Sequence, residues 1–186
     1  AYNAEKPLAQ AVRSALAQSY ENFELIIIDD CSTDATNTLA NSFGDSRIRV
    51  LTNSKNSGAS QTRHNGVSAA RGEWLAFLDS DDIWAPDKLE KQMMLQSARN
   101  ADLVFTGSAF INQDGNPKDW VLHVPDTISY RKLLKQNLIS NSSVLVRKER
   151  FLACECLCGG LHEDFVCWLR MLKDGALACG IDEPLL

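Results

Sequence analysis

Three clusters of acidic side chains carry most of the chemistry that this sequence could perform. Asp79, Asp81 and Asp82 lie within four residues, directly after the apolar run 74–78. Carboxylates this close repel one another unless a cation lies between them, and their oxygens are ligands that Mg²⁺ and Mn²⁺ prefer. The spacing therefore predicts a divalent-cation site that also binds a phosphorylated ligand. The alternative is a solvated turn that caps the following helix.

The other two clusters also lie at the ends of predicted elements. Asp29 and Asp30 follow the apolar run 24–28, and Asp164 opens an amphipathic helical pattern at 165–173. In an open α/β sheet the carboxyl ends of parallel strands share one edge, and ligands bind there. We therefore expect the first two acidic clusters to converge, although each acid could instead be a helix cap or a helix N-terminal charge.

The elements that must position these acids alternate along the first 107 residues. Strand patterns fall at 24–28, 47–51, 73–78 and 102–107, with helix patterns before, between and after them. This alternation predicts an α/β fold, a three-layer sandwich with a mostly parallel central sheet. From Ser108 the pattern changes to a hairpin about Asp114-Gly115, a strand at 142–146 and the last helix.

The composition narrows the class of protein. The chain has 186 residues, of which 45% are hydrophobic and 23% charged, and its net charge is −5. These values indicate one globular domain. They argue against a nucleic-acid partner, because nucleic acids bind to surfaces with clustered basic residues. No apolar run approaches the roughly 20 residues that span a bilayer. Because the sequence begins at Ala1 and ends within an apolar pattern, we expect it to be truncated at both ends.

Six scattered cysteines do not suggest a small disulfide-bonded domain, so we expect a cytoplasmic protein. Cys154, Cys156 and Cys158, with His162 nearby, are the one candidate zinc site. Paired C-x-x-C motifs are lacking, however, and we interpret this run as structural.

The motifs, taken in order, resemble glycosyltransferase family 2. They are Tyr2-Asn3, IIIDDCSTD, NSGASQTRHNG, ARGEWLAFLDSDD and HEDFVCWLRMLKDG. Members of this family are inverting nucleotide-sugar enzymes with a GT-A fold. The resemblance covers nearly the whole chain and implies a hexosyl- or N-acetylhexosaminyl-transferase of cell-surface polysaccharide biosynthesis. By the same resemblance, residues 1–107 form the nucleotide-sugar-binding half and residues 108–186 the acceptor-side half.

The resemblance also implies a role for each matching residue on the donor side. Tyr2 and Asp30 would line the pocket of the nucleotide base, with Asp30 binding the pyrimidine imide. Arg63 would lie near the diphosphate. UDP is the donor nucleotide that the resemblance implies, and dTDP and GDP are left open.

For the reacting centre, Asp79 and Asp81 match the DxD motif of the family. The resemblance makes Asp81 the more direct ligand of Mn²⁺ or Mg²⁺ and places Asp79 nearer the ribose or the metal. Asp164 would be the general base that takes the proton of the acceptor hydroxyl. These roles agree with the chemistry, since a diphosphate leaves only when its growing charge is neutralised and a hydroxyl attacks only as its proton is removed.

The sequence departs from the family pattern in several places. Cys31 replaces the usual glycine, the apolar strand that usually precedes Tyr2 is not in the sequence, and no Q-x-x-R-W motif follows Asp164. The last departure disfavours a processive polymerase. We expect a glycan or lipid-linked acceptor, no nucleic acid, and membrane association only at the inner face and through parts of the protein not shown.

Two alternatives come from other functional classes. A phosphoacceptor signalling domain also places paired acids after one strand and an Asp after a later one, but its strand-ending lysine is missing, because Lys132 falls in a helical pattern. A non-catalytic nucleotide-binding or scaffold protein of the same fold is the stronger alternative. Retention of Asp30, Asp79, Asp81 and Asp164 together argues against it.

Overall fold

The computed structural model describes residues 1–112, 116–154 and 163–186. In these ranges the helices are α1 (Leu8–Leu16), α2 (Thr36–Ser42), α3 (Gly58–Ala69), α4 (Lys88–Arg99), α5 (Tyr130–Leu133), α6 (Lys148–Ala153) and α7 (Glu163–Lys173). The strands are β1 (Leu25–Asp29), β2 (Ile48–Thr52), β3 (Trp74–Ala76), β4 (Leu103–Ile111), β5 (Pro117–Leu122), β6 (Leu145–Arg147) and β7 (Ala178–Pro184). A single turn of 3₁₀ helix, Asn141–Ser143, precedes β6 and is named the 141–143 turn.

The strands form two groups. β1 and β2 pair in parallel, whereas β3, β6, β4 and β5 follow one another in a second sheet in which β7 also pairs with β4. The predicted α/β alternation is confirmed, and β4 and β7 are parallel. The second sheet is mixed rather than mostly parallel, because β6 runs antiparallel between β3 and β4, and β5 folds back on β4 as the predicted hairpin.

The main core lies where the second sheet meets α7. Phe105 on β4 and Trp168 and Met171 on α7 are almost completely buried in it. Burying large side chains of this kind stabilises the fold by about 1.5–3 kcal/mol each. A smaller core joins α1 to β1 through residues such as Val12 and Ile27. None of the helices in the described ranges is long and apolar enough to cross a membrane.

The strand predicted at 73–78 is shorter and more open than expected. Only β3 is paired, and within it only Leu75 is fully buried. A continuous apolar run of this kind predicts a strand that is covered on both faces of the sheet, and this prediction is wrong for most of the run. The reason is a cavity of about 1310 Å³ between the two sheets, whose wall includes residues 74–78 and the β1 residues Ile26 and Ile28.

Candidate active site

The cavity between the two sheets gathers most of the predicted site residues. Tyr2, Asp30, Arg63, Asp79 and Asp81 all line it. They come from the N-terminal segment, the end of β1, helix α3 and the turn after β3, and so converge from distant parts of the sequence. Asp164 is not among the lining residues.

Asp30, immediately after β1, is buried in a dense set of hydrogen bonds. Its Oδ1 accepts from Asn53 Nδ2 at 2.7 Å and from the Ser57 backbone N–H at 2.9 Å, and its Oδ2 accepts from the Gly58 backbone N–H at 2.8 Å. Burial by itself raises the pKa of Asp30. The hydrogen bonds from Asn53, Ser57, Gly58 and Thr62 outweigh that effect and hold the pKa below its ordinary value. Asp30 is therefore a fixed anion at the N-terminus of α3.

Asn53 belongs to the same network, and the sequence reasoning missed it. Besides bonding Asp30, its Nδ2 donates to Thr62 Oγ1 at 3.1 Å and its Oδ1 accepts from Asn65 Nδ2 at 2.8 Å. Asn53 therefore fastens the loop after β2 to helix α3. The available signal was its position, because it directly follows a strand parallel to β1 and so lies at the same sheet edge.

Hydrogen bonds hold the N-terminal segment around Asn3 against the turn after Asp30, and we name this arrangement the clasp. The Asn3 backbone N–H donates to Ser32 Oγ at 2.9 Å, and the Thr33 backbone N–H donates to Asn3 Oδ1 at 2.9 Å. Asn3 and Cys31 both have left-handed backbones, with φ of 47° and 61°. This clasp places Tyr2 at the cavity with half of its surface exposed. The strained conformation at Cys31 explains why glycine is the more usual residue there.

Helix α3 brings Arg63 to the turn at 79–82. Its small residues let it approach β1 closely, since a Cβ added at Gly66 would lie 3.0 Å from Ile28 Cδ1. Arg63 Nη2 donates to Asp79 Oδ1 at 2.8 Å, and the Arg63 side chain is 22% exposed. This ion pair does not conflict with the predicted diphosphate contact. Arg63 pairs with Asp79 while lining the cavity.

Residues 79–82, named the acidic turn, differ in their hydrogen bonds and in their exposure. Asp79 is bonded to Arg63, whereas the exposed Asp81 carboxylate accepts no hydrogen bond from the described residues. Asp82 is partly buried. Burial raises its pKa, a hydrogen bond to Ser142 lowers it, and repulsion from Asp79 and Asp81 raises it further, so that the pKa lies above its ordinary value. Among the described residues, an ion pair is seen at Asp79 of this turn, with Arg63.

The acidic turn offers carboxylate oxygens, which are suitable ligands for a divalent cation. In the described ranges, no three His, Cys, Asp or Glu side chains converge into a preformed metal cage. Mg²⁺ and Mn²⁺ do not need such a cage when they bind with a nucleotide, because one or two carboxylates, phosphate oxygens and water complete the coordination. Asp81, with Asp79 beside it, supplies hard oxygen ligands of this kind.

Asp164 lies in the first turn of α7 and is partly exposed. The helix is attached to the region of the acidic turn through aromatic contacts. Trp168 packs 6.4 Å from Phe77, between ring centroids, and 6.1 Å from Phe151. Phe77 lies two residues before Asp79, so α7 is anchored next to the acidic turn although Asp164 itself does not line the cavity.

The predicted zinc alternative is only partly covered by the structure. Cys154 has its thiol 3.8 Å from Asp174 Oδ2, and burial is the main cause that raises its pKa. Cys156, Cys158 and His162 lie outside the described residues, so this part of the interpretation stays a prediction.

Comparison with known proteins decides the family. A model described as "Glycosyl transferase family 2" matches residues 1–157, which is most of the chain. The chain belongs to glycosyl transferase family 2. This confirms the resemblance and the prediction of a glycosyltransferase, and the phosphoacceptor alternative is set aside.

Two bacterial relatives are similar to this family 2 chain over almost its whole length. One is a Bacillus subtilis (strain 168) protein named as the teichuronic acid biosynthesis glycosyltransferase TuaG, 38% identical over 99% of this chain and 74% of its own length. The other is the Escherichia coli UDP-Glc:alpha-D-GlcNAc-diphosphoundecaprenol beta-1,3-glucosyltransferase WfgD, 37% identical over 96% of this chain and 71% of its own length.

A similar fold is found in the solved structure of S. aureus TarS 1-349. The TM-score is 0.82 at 20% sequence identity, and the match covers 98% of this chain and 56% of the TarS chain. The same TarS fragment has been solved in complex with UDP and with UDP-GlcNAc. At this identity the comparison concerns the fold, and it confirms the predicted GT-A class.

Proposed function

We propose that this family 2 chain moves a single sugar from a UDP-sugar to a hydroxyl of a glycan or lipid-linked acceptor, with inversion and with a divalent cation. The observation that carries the proposal is the convergence of Tyr2, Asp30, Arg63, Asp79 and Asp81 on one cavity. The names of the relatives support a role in cell-surface polysaccharide biosynthesis, and the TarS complexes support a UDP-sugar donor.

Tyr2 and Asp30 would bind the base of the donor. The half-exposed Tyr2 ring offers a face on which a base can stack, an interaction worth about 1–3 kcal/mol. Among nitrogen donors in the described residues, only the Gly58 N–H contacts Asp30 Oδ2, which leaves acceptor capacity for the imide N–H of uracil. Because its own hydrogen bonds fix this carboxylate, little ordering is needed when the base binds.

Arg63, Asp79 and Asp81 would bind the diphosphate end of the donor. Asp81, with Asp79 beside it, would hold Mn²⁺ or Mg²⁺, which neutralises the charge that develops on the leaving diphosphate. Arg63 already lies against Asp79, 2.8 Å away, so its guanidinium is oriented at the place where the phosphates would lie. Asp79 would contact the ribose or share the cation.

Asp164 would activate the acceptor. As the acceptor oxygen forms its bond to the anomeric carbon, the bond from that carbon to the diphosphate oxygen breaks and the hydroxyl proton passes to the Asp164 carboxylate. UDP leaves with the electron pair of the broken bond. Attack opposite to the leaving group inverts the anomeric centre in one displacement, and general-base catalysis of this kind contributes about 10²- to 10⁴-fold in rate.

The substitution Asp164→Asn tests this assignment. We expect it to leave the affinity for UDP in Mn²⁺ unchanged and to lower sugar transfer by about 10²- to 10⁴-fold. UDP-glucose and an N-acetylglucosamine-diphospholipid are the first substrates to assay, since WfgD is named for that reaction. Asp174→Asn, at the other end of α7, is the matched control. Normal transfer by the Asp164→Asn variant would contradict the role of Asp164 as the base.

A thermal-shift panel of nucleotide sugars, measured with and without Mn²⁺, addresses the donor. A ligand that binds only the native state raises the melting temperature by mass action. We expect UDP-sugars with Mn²⁺ to give the largest increase. A larger increase with dTDP- or GDP-sugars would replace the UDP assignment, and no increase with any nucleotide would contradict the proposed function.

A further inference from the structure

The 141–143 turn is a buried polar segment in the acceptor-side half of the chain. Asn141, Ser142 and Ser143 are 8%, 1% and 0% exposed. A buried turn needs partners for its backbone groups, and helix α4 and the segment before it supply them. Trp84 Nε1 donates to the Ser142 carbonyl at 2.8 Å, and Gln92 Nε2 donates to the Ser143 carbonyl at 2.8 Å.

The two donors are themselves held in place. Gln92 is completely buried, and its Oε1 accepts from Lys88 Nζ at 2.9 Å. The same nitrogen lies 4.3 Å from the centre of the Trp84 ring. Trp84, Lys88 and Gln92 therefore form one rigid support behind the turn, and none of them lies in the acidic turn.

Two side chains of the 141–143 turn reach the acidic turn. The Asp79 backbone N–H donates to Ser142 Oγ at 2.9 Å, and Asn141 Nδ2 donates to Asp79 Oδ1 at 3.3 Å. These two hydrogen bonds hold both the backbone and the side chain of Asp79, the first residue of the acidic turn.

Among the residues that the structure describes, the acidic turn has few other hydrogen bonds besides the one from Arg63 to Asp79. Within the turn one backbone bond, from Asp82 N–H to the Asp79 carbonyl at 3.1 Å, closes the chain. Repulsion among three carboxylates opposes that closure. We propose that Ser142 is a positioning residue, which holds the acidic turn in the arrangement that binds the cation and the donor diphosphate. The inference rests on the proposed function and adds a residue from the other half of the chain to it.

The test compares Ser142→Ala with Ser143→Ala by calorimetric titration of UDP, with and without Mn²⁺. Ser143 is equally buried in the same turn, but its hydroxyl donates to the Ser140 carbonyl rather than to the acidic turn. We expect Ser142→Ala to lower the Mn²⁺-dependent affinity about tenfold, as the loss of one buried hydrogen bond does. Metal-free UDP affinity should stay unchanged, and Ser143→Ala should change neither value by more than about twofold.

Two further variants separate positioning from packing. Ser142→Thr retains the hydroxyl and should recover most of the Mn²⁺-dependent affinity. Ser142→Cys retains the volume but offers a weak acceptor, so it should show the loss, and it replaces Ser142→Ala if that variant does not fold. Equal losses in Ser142→Ala and Ser143→Ala, or no loss in Ser142→Ala, would overturn the inference alone. Wild-type protein that binds no UDP in Mn²⁺ would overturn the proposed function and this inference with it.

Discussion

The ends of β1 and β3 have the same kind of sequence, adjacent acids after an apolar strand. The two sites differ, however, in how well the surrounding groups stabilise the charge of the carboxylates. At the end of β1, Asp29 and Asp30 are 2% and 3% exposed and accept hydrogen bonds from side chains and backbone. At the end of β3, Asp81 is exposed and Asp82 has a raised pKa, caused first by burial.

The difference comes from the groups that surround the end of each strand. The N-terminus of α3 directs the Ser57 and Gly58 N–H groups at Asp30, so its charge is neutralised within the folded chain. In the ranges that the structure describes, the three carboxylates of the acidic turn have one guanidinium partner, Arg63. We infer that the first cluster stabilises the free protein, whereas the second gains its counter-charge when a cation and donor bind.

The largest expected effect is the loss of function in Asp81→Asn. Because Asp81 is exposed and accepts no hydrogen bond from the described residues, the melting temperature should change by less than about 1 °C. Transfer should fall by about a thousandfold, since the charge of the leaving diphosphate would no longer be neutralised. Assays of transfer and of UDP titration in Mn²⁺ measure the two consequences. Asp119→Asn, an exposed acid on β5, is the control, and unchanged UDP affinity in Asp81→Asn would count against the assignment.

Asp30→Asn should give the reverse pattern, with a large loss of stability. The introduced amide would direct a donor at the backbone N–H donors of Ser57 or Gly58, leaving buried groups without acceptors. We expect the free energy of unfolding to fall by about 3 kcal/mol and the melting temperature by roughly 6–12 °C. Urea unfolding followed by circular dichroism measures this change. If Asp30→Asn were as stable as the wild-type protein, the contrast between the two strand ends would not hold.

The pH dependence of stability should have opposite signs at the two sites. The pKa of Asp30 is lowered by folding, so its stabilising contribution is present above the ordinary carboxyl pKa and is lost as pH falls through the folded value. The pKa of Asp82 is raised, so its charge destabilises the fold as pH rises through the folded value, and the penalty vanishes below the ordinary pKa of 3.8.

Melting temperatures of three proteins between about pH 3 and about pH 7 test this contrast. The melting temperature of Asp82→Asn relative to the wild-type protein should rise with increasing pH. The deficit of Asp30→Asn should shrink as the pH falls. Parallel curves for the two variants would show that the local environments do not differ in the way described.

The smallest expected effect concerns the backbone beside Asp30. Cys31 is exposed and has a φ of 61°, a conformation that costs a non-glycine residue about 1 kcal/mol or more. Cys31→Gly should therefore stabilise the protein by about 0.5–1 kcal/mol, after allowing for the greater entropy of glycine in the unfolded chain. Thermal unfolding should show an increase of about 1–4 °C. A decrease would mean that the Cys31 side chain makes a stabilising contact.

The fold and the donor side of the site were largely predictable from local patterns. Apolar runs ending in acids identified β1 and β3, and Asp30 and Asp79 line one cavity as expected. The reason differs from the predicted one, because β1 and β3 lie in two sheets that face this cavity and do not share the edge of one parallel sheet. The sequence did not reveal that Arg63 pairs with Asp79 or that Asn53 braces Asp30. Arginine and asparagine are ordinary residues of exposed helices and loops, so their partners become visible only in three dimensions.

Other features depended on long-range contacts that no local pattern reports. The 142–146 run was expected to be a strand, but its first part is the 141–143 turn, because Trp84 and Gln92 capture its carbonyls from far along the chain. The antiparallel pairing of β6 in the second sheet also depends on long-range contacts. A short strand such as β6 carries no local sign of the direction in which it will pair.

The place of β6 has a practical consequence for protein engineering. Although residues 1–107 and 108–186 were predicted to have different tasks, β6 from the second range pairs with β3 and with the first residues of β4, and β4 itself crosses residue 107. A chimaera that joins the donor half of one enzyme to the acceptor half of another at residue 107 would therefore replace the middle of a sheet. An exchange confined to residues 108–122, where β4 and β5 pair with each other, would leave the pairs of β4 with β6 and β7 in place.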